Sequence, residues 1–217
     1  MSRPLLVATR SGHKLREIRE IMARHGGPEV VDLEAAGVAY EPAEDSIEVH
    51  DTFAGNARAK ARYYAARSGM RTLADDSGIC VDALDGAPGV LSKRFSGRED
   101  LEGAALDAVN NQLLLEKLTD VEAARRSAHY ICVAALVDPH GGEALFEGRA
   151  DGLILDAPRG DGGFGYDPLF YVPAEEATFG ELDPGRKNEI SHRGRAVAAL
   201  ARALADPQAE LHRPVGG

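Results

Sequence analysis

The strongest constraint on this chain's fold is the order of its apolar segments. Short apolar runs alternate with helical patterns through the first half, and two longer runs joined by a tight turn follow. Leu5–Thr9 reads as a strand and Arg10–His13 as a polar turn. From Lys14, apolar residues at Leu15, Ile18, Ile21 and Met22 recur at helical spacing until Gly26-Gly27-Pro28. Val30–Leu33 reads as a strand and Tyr40–Asp51 as acidic and irregular. Thr52 caps a helix that runs to about Ser68, and Gly69 ends it. Thr72–Ala74 is the next strand. Leu101–Leu118 is helical in composition, and Ser191–Ala205 is an alanine- and arginine-rich helix. His129–Val137 and Ala144–Leu155, joined at Pro139–Gly142, have hairpin spacing. Strand–helix alternation followed by a hairpin implies an α/β fold with a mixed β-sheet and flanking helices.

The 217 residues suit one domain, residues 1–217, with a full core. There are no internal repeats and no linker-like stretches. Net charge is −10, which argues against the basic face of a nucleic-acid binder but not against a small phosphate ligand. Apolar runs fall short of membrane-spanning length. Met1–Pro4 leads straight into four apolar residues, too few for the core of a signal peptide, so the expected compartment is the cytoplasm. Cys80 and Cys132 lie far apart among apolar neighbours and read as buried free thiols.

Four polar clusters carry the candidate chemistry. In Thr72-Leu73-Ala74-Asp75-Asp76-Ser77-Gly78 a strand-like step ends in two carboxylates, which can hold a hard divalent cation or take a proton; ordinary turn chemistry is the plainer reading. Thr9-Arg10-Ser11-Gly12-His13-Lys14 joins a strand to a helix N-terminus, where backbone N–H groups and the dipole suit a phosphate. Gly160–Gly165 matches G-x-G-x-x-G as text, but an aromatic strand-like run, Leu169–Tyr171, follows it in place of a helix. A dinucleotide site is therefore rejected, and the glycines read as admitting a flat ligand against Phe164. Ser191-His192-Arg193-Gly194 stands at a helix start, with Lys187 four residues before it. Asn56 and Lys60 share a helix face. Arg16–Glu20, a partial match to a metal-binding helix motif, reads as a solvated helix face.

In this order and spacing these pieces, with Gly86–Gly89, Arg94 to Gly97 and Gly162–Pro168, resemble the inosine triphosphatase (HAM1-like) family of non-standard purine nucleoside triphosphate pyrophosphatases. The resemblance runs from Leu5 to Leu204. Two departures are Ser11, where the family usually carries asparagine, and Gly55, where it usually carries an acidic residue. The resemblance implies an elongated α/β fold with two lobes around a central substrate cleft, usually a homodimer. It implies hydrolysis of ITP, dITP or XTP to the monophosphate and pyrophosphate with Mg²⁺, which removes deaminated purines from the nucleotide pool. Asp76 is then the base that activates water, and Asp76 with Glu48 or Asp75 holds the metal. Lys14 and Lys60 meet phosphates, and Thr9, Arg10, Ser11, Gly12, His13, Ser77, Gly165, Tyr166 and Asp167 also bind the substrate. Phe164, in the run Phe164-Gly165-Tyr166-Asp167, stacks on the base. Lys187, His192 and Arg193 read its edge. The alternatives are a Maf-like pyrophosphatase for other modified nucleotides and a nucleotide-binding regulator without turnover.

Overall fold

A computed structural model of the protein describes residues 3–205. Met1 and Ser2, read above as leading into the first strand, lie outside the described residues. The expected α/β architecture is observed. A seven-stranded sheet has the order β2-β1-β3-β4-β5-β6-β7, where β1 is Leu5–Val7, β2 Val30–Val31, β3 Thr72–Val81, β4 Ser127–Val137, β5 Glu143–Ile154, β6 Phe170–Val172 and β7 Ala177–Thr178. The helices are α1 Gly12–Arg24, α2 Phe53–Ser68, α3 Gly103–Lys117, α4 Pro184–Ile190 and α5 His192–Ala205. β1 pairs in parallel with β2 (Leu5↔Val30) and with β3 (Leu6↔Thr72), the consequence of helical crossovers, whereas β5, β6 and β7 are antiparallel. The sheet is therefore mixed. Among the described residues, no helix is long and apolar enough to cross a membrane.

Local chemistry sets several boundaries. Ser11 caps α1, its hydroxyl accepting the Lys14 N–H at 3.4 Å. Thr52 caps α2 by accepting the Gly55 N–H, and Gly69, at φ +68°, closes it with an N–H to Ala65 O. The acidic stretch after Tyr40 is less irregular than its composition suggests: Pro42–Ser46 is a short 3₁₀ turn entered through a Glu41–Glu44 capping box. A larger difference concerns β3. The sequence reading ends this strand at Ala74, yet it continues to Val81 with nearly every residue buried. Asp75, Asp76, Ser77 and Gly78 thus lie inside a strand, neither at its end nor in a turn.

The described residues divide into two compact units: 3–76 with Cys132–Gly148 and 192–205, and Ser77–Ile131 with Arg149–Ser191. The core of the first is built from Leu5, Val7, Ile18, Ile21, Leu73, Leu136, Val197 and Leu200. A Cβ at Gly148 would collide with His192 O and Ala196 N, so glycine there is what lets the first turn of α5 lie against β5. The core of the second is aromatic: Tyr130, Tyr166, Phe170 and Phe179 join Ile79, Leu114, Leu118 and Ile154, with the Phe170 and Phe179 rings 4.9 Å apart. Cys80 and Cys132 are free thiols, as expected.

Candidate active site

The acidic pair of β3 organises the first unit. Successive strand residues project to opposite faces of a sheet, so adjacent carboxylates acquire different partners. Asp75 is 1% exposed and ion-paired to Lys14 (3.1 Å) and Arg193 (3.1 Å) through Oδ2. Burial alone would raise its pKa, but Lys14, Arg193 and Lys60 outweigh it and hold the carboxyl well below the usual range. Its Oδ1 is buried with no hydrogen-bond partner among the described residues. Asp76 accepts from Asn56 Nδ2 at 2.9 Å. Here burial, with the charge of Glu48, outweighs Lys14, Asn56 and Lys60, and the carboxyl lies above its ordinary value. One carboxylate of the pair is thus fixed as an anion and its neighbour is tuned toward taking a proton.

Lys60 of α2 forms an ion pair with Glu48. Burial works against the charge of each, yet each favours the other's charged form, so Lys60 lies above and Glu48 below its usual value. Lys14, in the first turn of α1, follows the Thr9–His13 loop, in which the Ser11 N–H is tied to Thr9 Oγ1. Arg10 is already engaged: its guanidinium donates twice to Glu44 and once to Val38 O. His13 lies on Arg16 at 3.2 Å. Gly12 opens α1, and Ser77 begins the second unit's share of β3.

Arg193, expected to read a base edge, sits in the first unit with 2% of its side chain exposed. It donates Nε to Asp75 and Nη1 to Glu17 (2.6 Å). Both groups are turned to carboxylates of the protein, an arrangement that makes Arg193 a brace for Asp75. Glu17 is a correction: read as part of a solvated helix face, its side chain is only 12% exposed and faces Arg193. His192 is buried beside it in the first turn of α5.

The second unit holds the remaining expected residues. Lys187 and Asp167, 6% and 4% exposed, form an ion pair of 2.6 Å. The ammonium lies 4.9 Å from the centre of the Phe164 ring and 5.9 Å from that of Phe179. Asp167 also accepts the Phe164 N–H at 2.8 Å. A Cβ at Gly163, where φ is +75°, would collide with the same carboxylate. Tyr166 is buried and donates its hydroxyl to Ser92 O.

Among the described residues, no three His, Cys, Asp or Glu side chains group closely enough to hold a metal by themselves. The donor chemistry still suits a hard cation, because Glu48 and Asp76 feel one another's charge. One or two carboxylates plus substrate phosphates is the usual setting of Mg²⁺.

Sequence reasoning also missed Glu44, which receives Arg10, Tyr64, Arg67 and the Glu41 N–H, tying the first loop to α2. Its capping-box spacing from Glu41 was the one visible signal.

A model of the Ham1 family matches residues 5–203. A curated relative, the dITP/XTP pyrophosphatase of Corynebacterium diphtheriae, is 47% identical over 209 residues, covering 93% of this chain and 96% of the relative. The structure of a HAM1 protein from Coxiella burnetii superposes with a TM-score of 0.80 at 37% identity, covering 94% of this chain and 99% of that one. A nucleoside-triphosphatase / dITP/XTP pyrophosphatase from Mycobacterium abscessus does so with a TM-score of 0.69 at 42% identity, covering 91% and 98%.

Proposed function

The chain belongs to the Ham1 family, and from that premise we propose that it hydrolyses ITP, dITP and XTP to the nucleoside monophosphate and pyrophosphate. The observation that carries the chemistry is the state of Asp76: a largely buried carboxyl with a raised pKa, oriented by Asn56 and within the field of Lys14 and Lys60. A carboxylate so tuned takes the proton of the attacking water more readily than an ordinary aspartate. Asp75, fixed as an anion by Arg193 and Lys14, anchors Lys14 beside it. Lys14 and Lys60 bind the triphosphate and stabilise the charge that develops on departing pyrophosphate. The backbone N–H groups at the start of α1 add neutral donors for phosphate oxygens. Phe164 stacks on the purine, while Lys187, which can only donate hydrogen bonds, favours an oxygen acceptor at C6 over an amino group, and His192 is a further base contact in this reading. Arg193 acts through Asp75.

Asp76 and Glu48 would hold Mg²⁺, whose chemistry is to screen the triphosphate and favour the anionic leaving group. The protein works in the cytoplasm as a homodimer in this reading, the latter checked by light scattering of the purified chain. The family match favours this reading over a Maf-like enzyme, and the tuned Asp76 favours it over a regulator without turnover. A pyrophosphate-release assay against a nucleotide panel, with and without Mg²⁺, tests it. Mg²⁺-dependent pyrophosphate from ITP and XTP, far exceeding that from ATP, is expected. Orthophosphate as the first product would overturn it.

A further inference from the structure

Phe164 stands between two glycines at positive φ, Gly163 at +75° and Gly165 at +64°. Nothing in the local sequence restrains such a segment, since glycine admits many backbone conformations and loses much entropy on being fixed. A ring that is to stack on a ligand nevertheless needs a fixed backbone beneath it. The restraint comes from α3. Asp107 and Asn111, four residues apart and so on one face of that helix, engage both polar groups of Gly165. Asp107 Oδ2 accepts the Gly165 N–H at 2.8 Å, and Asn111 Nδ2 donates to Gly165 O at 3.0 Å. Asn110, between them, is turned elsewhere, to the Ser96 N–H and Lys93 O. On the other side of the ring's backbone, Asp167 accepts the Phe164 N–H.

We propose that Asp107 and Asn111 are positioning residues for Phe164: they clamp the peptide groups of Gly165 so that the ring is presented to the purine. The proposal rests on the reading of Phe164 as the base-stacking residue. Its consequence is selective. Loosening the clamp weakens binding of a nucleotide that carries a base and spares binding of a phosphate chain that carries none.

The test uses the full chain and calorimetric titration with two probes, inosine monophosphate and inorganic tripolyphosphate. Asp107→Ala and Asn111→Asp each remove one arm of the clamp, the second by setting an acceptor against Gly165 O. Asp107→Asn keeps an acceptor for the Gly165 N–H. Each clamp-breaking change is expected to weaken inosine monophosphate binding about tenfold, the order expected for loss of a net hydrogen bond. Tripolyphosphate binding is expected to stay within about twofold, and Asp107→Asn to stay close to wild type. In a Phe164→Ala background the clamp substitutions should add little, because they act through the absent ring. Should Phe164→Ala weaken inosine monophosphate binding while the clamp variants do not, the clamp is wrong and the stacking role stands. Should Phe164→Ala leave that binding unchanged, the stacking role falls and the clamp with it. Equal losses for both probes, or full additivity with Phe164→Ala, would mark a merely structural contribution and overturn the proposal. A melting curve for each variant confirms that a folded protein is being titrated, and if Asn111→Asp does not fold, Asp107→Ala carries the same test.

Discussion

Two buried ion clusters in this protein are built on opposite plans. In the first unit, Asp75, Asp76, Glu48, Lys14, Lys60 and Arg193 share one field, and no single pairing accounts for any one of them. In the second, Lys187 and Asp167 form a compact pair against the rings of Phe164 and Phe179. The networked cluster separates two neighbouring carboxyls, one driven below and one above its ordinary pKa, and leaves an oxygen of Asp75 without a hydrogen-bond partner among the described residues. That is what chemistry on a highly charged substrate needs: a proton acceptor, and cations whose allegiance can shift to a ligand. The Lys187–Asp167 pair does different work. It holds a loop backbone and sets a cation over an aromatic face. A buried pair of this kind is costly to break and adds little to stability compared with apolar residues of the same shape.

The contrast is broken most severely at Asp76. Asp76→Asn keeps the shape and the neighbourhood of Asn56 but removes the base. Steady-state kinetics should show kcat lowered by about 10²–10⁴-fold with an unchanged thermal unfolding profile. More than roughly a tenth of the wild-type rate in the folded variant would remove Asp76 from that role.

At the other cluster the damage should fall on stability. Asp167→Ala leaves a buried ammonium without its anion and should cost about 3–5 kcal/mol, read from urea unfolding. Lys60→Met is the control from the networked side. Its partner Glu48 is about one-third exposed and Asp75 keeps Lys14 and Arg193, so the same measurement should show a smaller loss than Asp167→Ala, while turnover suffers far more. Equal stability losses at the two sites would erase the distinction.

Arg193→Ala sharpens it further. Asp75 would keep Lys14 while Glu17 loses its contact with Arg193, so the stability loss should be about 3–5 kcal/mol. The ITP-to-ATP ratio in kcat/KM should change little, because Arg193 faces Asp75 and Glu17. A collapse of that ratio without a stability loss would return Arg193 to the base edge.

The smallest effect is one of pH. In the metal-free protein burial holds the Asp76 carboxyl above its ordinary value, so this group supplies no stability that acid would remove. Protonation of this group favours the folded state and does not unfold it. Asp75 is the reverse case. Its folded pKa is depressed, so its stabilising contribution is complete above about 3.9 and is lost only as pH falls below that value. The fold of the metal-free protein should therefore hold down to about pH 3.9 and weaken only below it, as a circular-dichroism titration would show.

Elements governed by local chemistry were legible in the sequence. Thr52 and Gly69 bracket α2 because capping is a matter of neighbouring residues. β3 was read too short because Asp, Ser and Gly are poor strand formers. The neighbouring strand β4 and the cations that meet Asp75 override that propensity. The sequence reading gives no helix at α4, although Asp183 and Pro184 mark its start: Asp183 accepts the Arg186 N–H and proline occupies the first turn. Of the candidate site, Asp75, Asp76, Glu48, Lys14, Lys60 and Arg193 are visible in the sequence as candidates, but not that Arg193 pairs with Asp75 and Glu17, nor that Asp107 and Asn111 hold Gly165. Glu17 and Arg193 are 176 residues apart, and Asp107 and Asn111 reach Gly165 from more than 50 residues away. Their residue types are those of any solvated helix face. Only the fold reveals which of them turn inward.

The central claim is that water, deprotonated by Asp76, attacks the α-phosphorus. Hydrolysis of ITP in ¹⁸O-labelled water, with both products analysed by mass spectrometry, tests it most directly. The label is predicted in the nucleoside monophosphate, with pyrophosphate unlabelled. Label in pyrophosphate, or in released orthophosphate, would place the attack at another phosphorus and contradict the account.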